Sequence, residues 1–98
     1  MPYIVYWTPH ALENLEQSYL FLSEKNKDAA RTALKIIREK ALLLENFPNA
    51  GRPSLDLEPE HRELLIPFGE TGYVMLCQMG DNTLHILAIK HQKEVNYK

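Results

Sequence analysis

Apolar positions change spacing along this chain, and the changes mark its elements. Tyr3-Ile4-Val5-Tyr6-Trp7 is β-branched and aromatic and reads as a strand. Thr8-Pro9 ends it and starts a helix, because threonine caps well and a proline at the first helical position gives up no needed hydrogen bond. Leu12, Leu15, Tyr19 and Leu22 then recur at helical spacing, with Glu13, Glu16 and Gln17 on the other side, which predicts a helix from about Pro9 to Glu24. After the break Lys25-Asn26-Lys27, Asn26 caps a second helix whose apolar face is Ala30, Ala33, Leu34, Ile37, Ala41 and Leu44. Asn46-Phe47-Pro48 closes it, since a residue before proline avoids helical geometry.

Phe47 to Pro59 carries Pro48, Gly51, Pro53 and Pro59 and reads as a stiff loop. Arg62-Glu63-Leu64-Leu65-Ile66-Pro67 is a strand with proline at its end. Gly69-Glu70-Thr71-Gly72 turns into a hairpin made of Tyr73–Cys77 and Leu84–Ile89, joined through Gly80-Asp81-Asn82. The second hairpin strand leaves the apolar pattern abruptly at Lys90-His91-Gln92-Lys93-Glu94. The order strand, helix, helix, strand, strand, strand predicts an α+β fold. An N-terminal strand, a helical hairpin and a three-stranded antiparallel meander form one sheet with both helices on one face. The short break between the helices makes them antiparallel neighbours, and the sheet is the apolar surface available to them.

Composition narrows the picture further. A chain of 98 residues makes one domain, 1–98, with one modest core. No apolar run approaches a membrane span, and no signal-peptide pattern opens the sequence, so a cytoplasmic protein without a membrane partner is expected. Cys77 is the lone cysteine, set among alternating apolar residues, and reads as a core residue. A formal charge of −2 argues against a generic nucleic-acid binder, although Lys90, His91, Lys93 and Lys98 gather at the end of the chain. The four histidines show no metal-ligand spacing and no phosphate loop appears, so neither a metal nor a cofactor is expected.

The candidate chemistry lies at the last strand's end. Lys90 and His91 alternate across the sheet; an imidazole can exchange protons near neutrality, and Lys90 and Lys93 can hold an anion. The plainer alternative is a solvated strand end. Tyr97 could stack on a base or clasp the tail to the sheet. Arg52 and Arg62 suit phosphate or carboxylate contacts, or else pair with nearby acids such as Asp56, Glu58 or Glu60.

The markers Val5-Tyr6-Trp7-Thr8-Pro9, Phe47-Pro48, Gly51-Arg52-Pro53, Arg62-Glu63-Leu64, Gly72-Tyr73-Val74 and Ile89-Lys90-His91-Gln92-Lys93-Glu94 with Tyr97, in this order and over nearly the whole length, resemble the RelE/ParE superfamily of toxins from type II toxin–antitoxin modules. Members known as plasmid-stabilisation proteins are the most similar. The resemblance implies a growth-inhibiting toxin held by a cognate antitoxin in a hetero-oligomer. ParE-like members inhibit DNA gyrase; RelE-like members are mRNA interferases that cleave mRNA on the translating ribosome. Val74 stands where the nucleases carry an arginine after Gly-Tyr, and the second strand has no lysine pair. The ParE-like, gyrase-binding reading is therefore the expectation, with Arg52, Lys90, His91, Lys93 and Tyr97 contacting the target. The alternative endoribonuclease would use His91, Lys93, Tyr97 and Arg62 as its catalytic set. A third possibility is a degenerate toxin that only binds its antitoxin. In every case Leu12, Leu15, Tyr19 and Leu22 on the first helix are the expected antitoxin contacts.

Overall fold

The computed structural model describes residues 2–54 and 57–94. Its elements are β1 (Ile4–Trp7), α1 (Pro9–Ser23), α2 (Lys27–Asn46), β2 (Arg52–Pro53), β3 (His61–Phe68), β4 (Thr71–Met79) and β5 (Thr83–His91). All five strands join one mixed sheet in the order β1-β5-β4-β3-β2. The meander β3–β4–β5 is antiparallel, whereas β1 lies parallel to β5, as its return through the helical hairpin requires.

The helices begin where their caps predict. Thr8 Oγ1 accepts from Ala11 N at 3.2 Å, and Asn26 Oδ1 accepts from Ala29 N at 3.0 Å. On α2 the buried residues are Ala30, Ala33, Ile37, Ala41 and Leu44, while Leu34 is half-buried. On α1 the buried residues are Ala11 and Asn14, with Leu15 and Leu22 packed beside the core and Leu12 exposed. Small Ala11 lets the helix approach β5 closely, and this sets a rotation that the larger leucines did not reveal. The helices cover the face carrying Leu64, Ile66, Tyr73, Met75, Cys77, Leu84, Ile86 and Ile89.

The two-residue β2 is absent from the sequence expectation. Arg52 and Pro53 pair with Glu63 and Arg62 because the backbone at Gly51 runs against β3; a Cβ there would meet Glu63 O at 2.8 Å. β3 continues through Pro67 to Phe68. Pro67 pairs with Gly72 one step from the Gly69-Glu70 turn, so its missing N–H faces the free edge of the sheet.

One irregularity positions the candidate site. Leu76 pairs with Ala88 but Cys77 pairs with Ile86, leaving Leu87 as the extra residue of a bulge. Before the bulge Leu84 and Ile86 face the helices. After it the parity is reversed, and Ile89 and His91 take that side while Lys90 faces outward. Thr8 holds the bulge: its hydroxyl donates to Ile86 O at 2.7 Å with Leu87 O at 3.3 Å, and its N–H donates to Ile86 O at 3.1 Å. Further along, Asn14 Oδ1 accepts from Ile89 N at 3.1 Å. A buried amide on α1 thus satisfies a strand N–H, as burial of a backbone donor demands.

Candidate functional site

The end of β5 forms a closed knot of hydrogen bonds around His91. Its Nδ1 accepts from Lys93 N at 3.2 Å, which leaves the proton on Nε2 to donate to Thr71 Oγ1 at 3.0 Å. The ring meets Tyr73 edge-on, with centroids 5.6 Å apart and planes at 86°. His91 N donates to Glu94 Oε1 at 3.1 Å, and Glu94 N returns a bond to His91 O at 3.0 Å. Lys90 Nζ donates to Glu94 O at 2.7 Å and Gln92 N to Gly72 O at 2.9 Å. The turn 91–94 is therefore built into the sheet edge.

On the helix side this knot borders a cleft of about 380 Å³ whose lining includes Asn14, Gln17, Phe21, Tyr73, Ile89 and His91. Phe21 is 63% exposed at its rim. Burial raises the Tyr73 phenol above its usual range and pushes the Cys77 thiol up to about 12, so both stay protonated at neutral pH. Neither is a ready nucleophile.

The predicted cations do not converge. Lys93 is exposed beside His91, but Lys90 is on the opposite face of the strand, packed over Val74 in the register. Arg62 faces the helix side at the far end of β3. It pairs with Cys77, whereas His91 pairs with Tyr73. The two are separated by about 14 Å along the strands and about 10 Å across them. Arg62 Nε donates to Gly51 O at 3.1 Å, and its Nη2 donates to the same carbonyl and, at 3.4 Å, to Asn49 O. Arg52, 61% exposed in its side chain, pairs loosely with Glu63 at 3.7 Å. Tyr97 lies outside the described residues. Val74 is buried, so the position after Gly72-Tyr73 offers a phosphate nothing but a methyl surface. Among the described residues no three His, Cys, Asp or Glu side chains come together as a metal would need, and no helix is long and apolar enough to cross a membrane.

Of the first-helix residues, Leu12 is exposed, Leu15 and Leu22 pack on the core, and Tyr19 is half-buried beside them. The exposed apolar residues of α1 are Leu12, Leu20 and Phe21. Thr71, Tyr73, Asn14 and Glu94 were not singled out from sequence. Thr71 and Tyr73 could have been found by counting hairpin register from the two turns, but the bulge at Leu87 offsets that count.

The chain matches the family model described as ParE toxin of type II toxin-antitoxin system, parDE, over residues 5–96. The chain belongs to the ParE toxin family. No curated protein matches it. Among solved structures, this ParE-family chain resembles one from the chromosomal ParDE TA system from P. aeruginosa with a TM-score of 0.73 at 23% identity, covering 91% of this chain and 95% of that one. It also resembles a chain of the toxin–antitoxin complex RelBE2 from Mycobacterium tuberculosis, with a TM-score of 0.66 at 23% identity, covering 94% of this chain and 100% of that one. At such identity the likeness speaks for the fold.

Proposed function

We propose that this ParE-family toxin arrests growth by binding DNA gyrase in the cytoplasm and that a cognate antitoxin neutralises it. The separation of Arg62 from His91 carries this reading. Phosphodiester cleavage needs an acid, a base and cations gathered on one pentavalent phosphate. Here the arginine is committed to loop carbonyls at one corner of the sheet and the imidazole to a turn at another. What remains at the end of β5 is a shaped, hydrogen-bonded surface with Lys93 exposed on it, which suits recognition of a protein. The solved toxin–antitoxin complexes of similar fold support an antitoxin partner.

A supercoiling assay with purified gyrase tests the target. Inhibition by the wild type, weakened about tenfold or more in a His91→Ala, Lys93→Ala variant of unchanged stability, is expected. Absence of inhibition together with codon-phased cuts in translated mRNA that vanish in His91→Ala would overturn the proposal in favour of an interferase. Absence of any growth arrest on expression would favour a chain that only binds its antitoxin.

A further inference from the structure

The two edges of the sheet are built differently. On the β2–β3 side Pro53 and Pro67 remove donors and Arg52 adds an exposed charge, devices that keep an edge from pairing with another strand. β1 carries none of these between Ile4 and Trp7. Ile4 N donates to Asn82 O at 3.0 Å and Thr8 N to Ile86 O at 3.1 Å, so the even-numbered residues bond β5. A parallel ladder uses alternate residues, so Tyr3, Val5 and Trp7 aim their N–H and C=O groups away from the sheet. Tyr3 N is met at 2.7 Å by Glu45 O, at the end of α2. Val5 and Trp7 remain as the open edge. Ile4 and Tyr6, 55% and 47% exposed, lie on the face away from the helices. On the helix side is a notch of about 280 Å³ between α2 and β1, lined by Val5, Trp7, Arg38, Ala41, Leu42 and Glu45.

We propose that β1 is the seam of a weak two-fold homodimer, in which it pairs antiparallel with the β1 of a second copy and the sheet runs unbroken through both. Backbone chemistry selects the register. An axis centred on Tyr6 sets Val5 against the second copy's Trp7, and the two exchange both of their bonds; symmetry repeats the pair. An axis on Val5 would call on Tyr3 N, which is already taken, and an axis on Trp7 would oppose Val5 to Pro9, which has no N–H. In the Tyr6 register the two tyrosines form a non-hydrogen-bonded pair, the closer kind. Each ring is backed by its own His85, with centroids 5.2 Å apart and planes at 20°. Charge agrees with the same axis. Glu45 lies at the Tyr3 end of the notch, and Arg38, about two turns earlier on α2, lies at the other. A two-fold axis through the middle exchanges the ends, so each Arg38 meets the second copy's Glu45. Neither side chain has an ion pair within the chain among the described residues. Leu42, 62% exposed between them, adds apolar contact beside the axis. This self-complementarity selects a second copy over an unrelated strand. A seam of so few residues stands at the low end of specific interfaces, on the order of 1,000 Å² in total, so association in the micromolar range is expected. The His91 turn lies beyond the segment of β5 that β1 covers.

Sedimentation equilibrium of the full chain from about 1 to about 300 μM, with amide exchange followed at both ends of that range, tests the seam. A monomer–dimer equilibrium is expected. The Val5 and Trp7 amides should slow about fivefold or more at high concentration, while those of Ile4 and Thr8, already bonded within the chain, change little. Arg38→Glu and Glu45→Arg should each weaken self-association about tenfold or more. An equimolar mixture of the two variants should recover a dimer, because opposite charges then meet at both ends of the seam. Tyr6→Lys sets like charges face to face across the axis and should abolish the dimer. The melting temperature of each variant is the control for folding, and exchange in the wild type needs no variant. A monomer mass at every concentration would overturn the inference. So would a dimer whose Val5 and Trp7 amides exchange at the monomer's rate, or a mixture that stays as monomeric as its parts.

Discussion

Arg62 and His91 occupy the same helix-facing side of one sheet at opposite corners, and the structure uses them differently. Arg62 donates to two carbonyls of the loop after α2, those of Gly51 and Asn49, and becomes a strut. His91 finds a hydroxyl on one side and a backbone N–H on the other, and becomes the hub of an exposed turn. Both residue types suit phosphate chemistry. Which of them stays near the surface to meet a partner is decided by the polar groups within reach, not by the side chain's own repertoire.

The largest expected effect falls where β3, β4 and the His91 turn meet. Gly72 lies in β4 at φ +154°, and a Cβ there would sit 2.2 Å from Ile66 O and 3.0 Å from Pro67 Cα, both backbone atoms. Its carbonyl also receives Gln92 N. Gly72→Ala should therefore separate β3 from β4 and loosen the turn at His91 together, at a cost of about 3 kcal/mol or more. Urea unfolding measures it. A loss under about 1 kcal/mol would mean that the close crossing of β3 over β4 does not support the His91 turn.

Alkaline pH tests whether β4 is sealed at the Arg62 corner. Cys77 pairs with Arg62 in the register, yet burial holds its thiol up to about 12 against an ordinary 9.0. An unfolded chain ionises this group first, so the folded form loses relative stability as pH rises from about 9 towards 12. The expected slope is about 1.4 kcal/mol per pH unit over that window, with Tyr73 adding to it above 10. Cys77→Ala should flatten the first part of the decline. Rapid labelling of the native thiol at pH 8 would contradict a sealed strand.

Asn14→Leu probes the His91 corner at its base. The substitution leaves Ile89 N–H buried without an acceptor, for a loss of about 1–3 kcal/mol. Hydrogen exchange at Ile89 and His91 should quicken more than at Leu64, on the Arg62 side. Equal quickening on both sides would show that α1 supports the sheet as a whole and not one corner.

Much of this was legible in the chain. Thr8-Pro9, Asn26 and Phe47-Pro48 located the helix ends because capping is local chemistry. The α2 face was readable because its apolar residues follow one period. α1 was misjudged in rotation: Ala11 and Asn14 lie against the sheet, and neither a methyl nor an amide registers as an apolar stripe. β2 escaped notice because two residues pair only through the proximity that Gly51 permits. The bulge at Leu87 left no mark in a run where every neighbour is apolar. Its consequence, which of Lys90 and His91 faces the helices, was invisible for the same reason.

The smallest expected effect separates strut from hub most cleanly. Arg62→Ala removes three donor contacts to Gly51 and Asn49 carbonyls and should cost about 1–2 kcal/mol, since partly buried hydrogen bonds from a charged donor are worth that much. Arg62→Lys should recover little, because an ammonium cannot reproduce the fork that spans both carbonyls. His91→Gln is the matched change at the other corner: the amide can still donate to Thr71, and the turn should lose well under 1 kcal/mol. Gyrase inhibition should respond in the opposite order, nearly unchanged in Arg62→Ala at a temperature where that variant stays folded and reduced in His91→Gln. If both variants lose inhibition equally while remaining folded, the two corners act on the target as one surface, and the contrast between strut and hub fails.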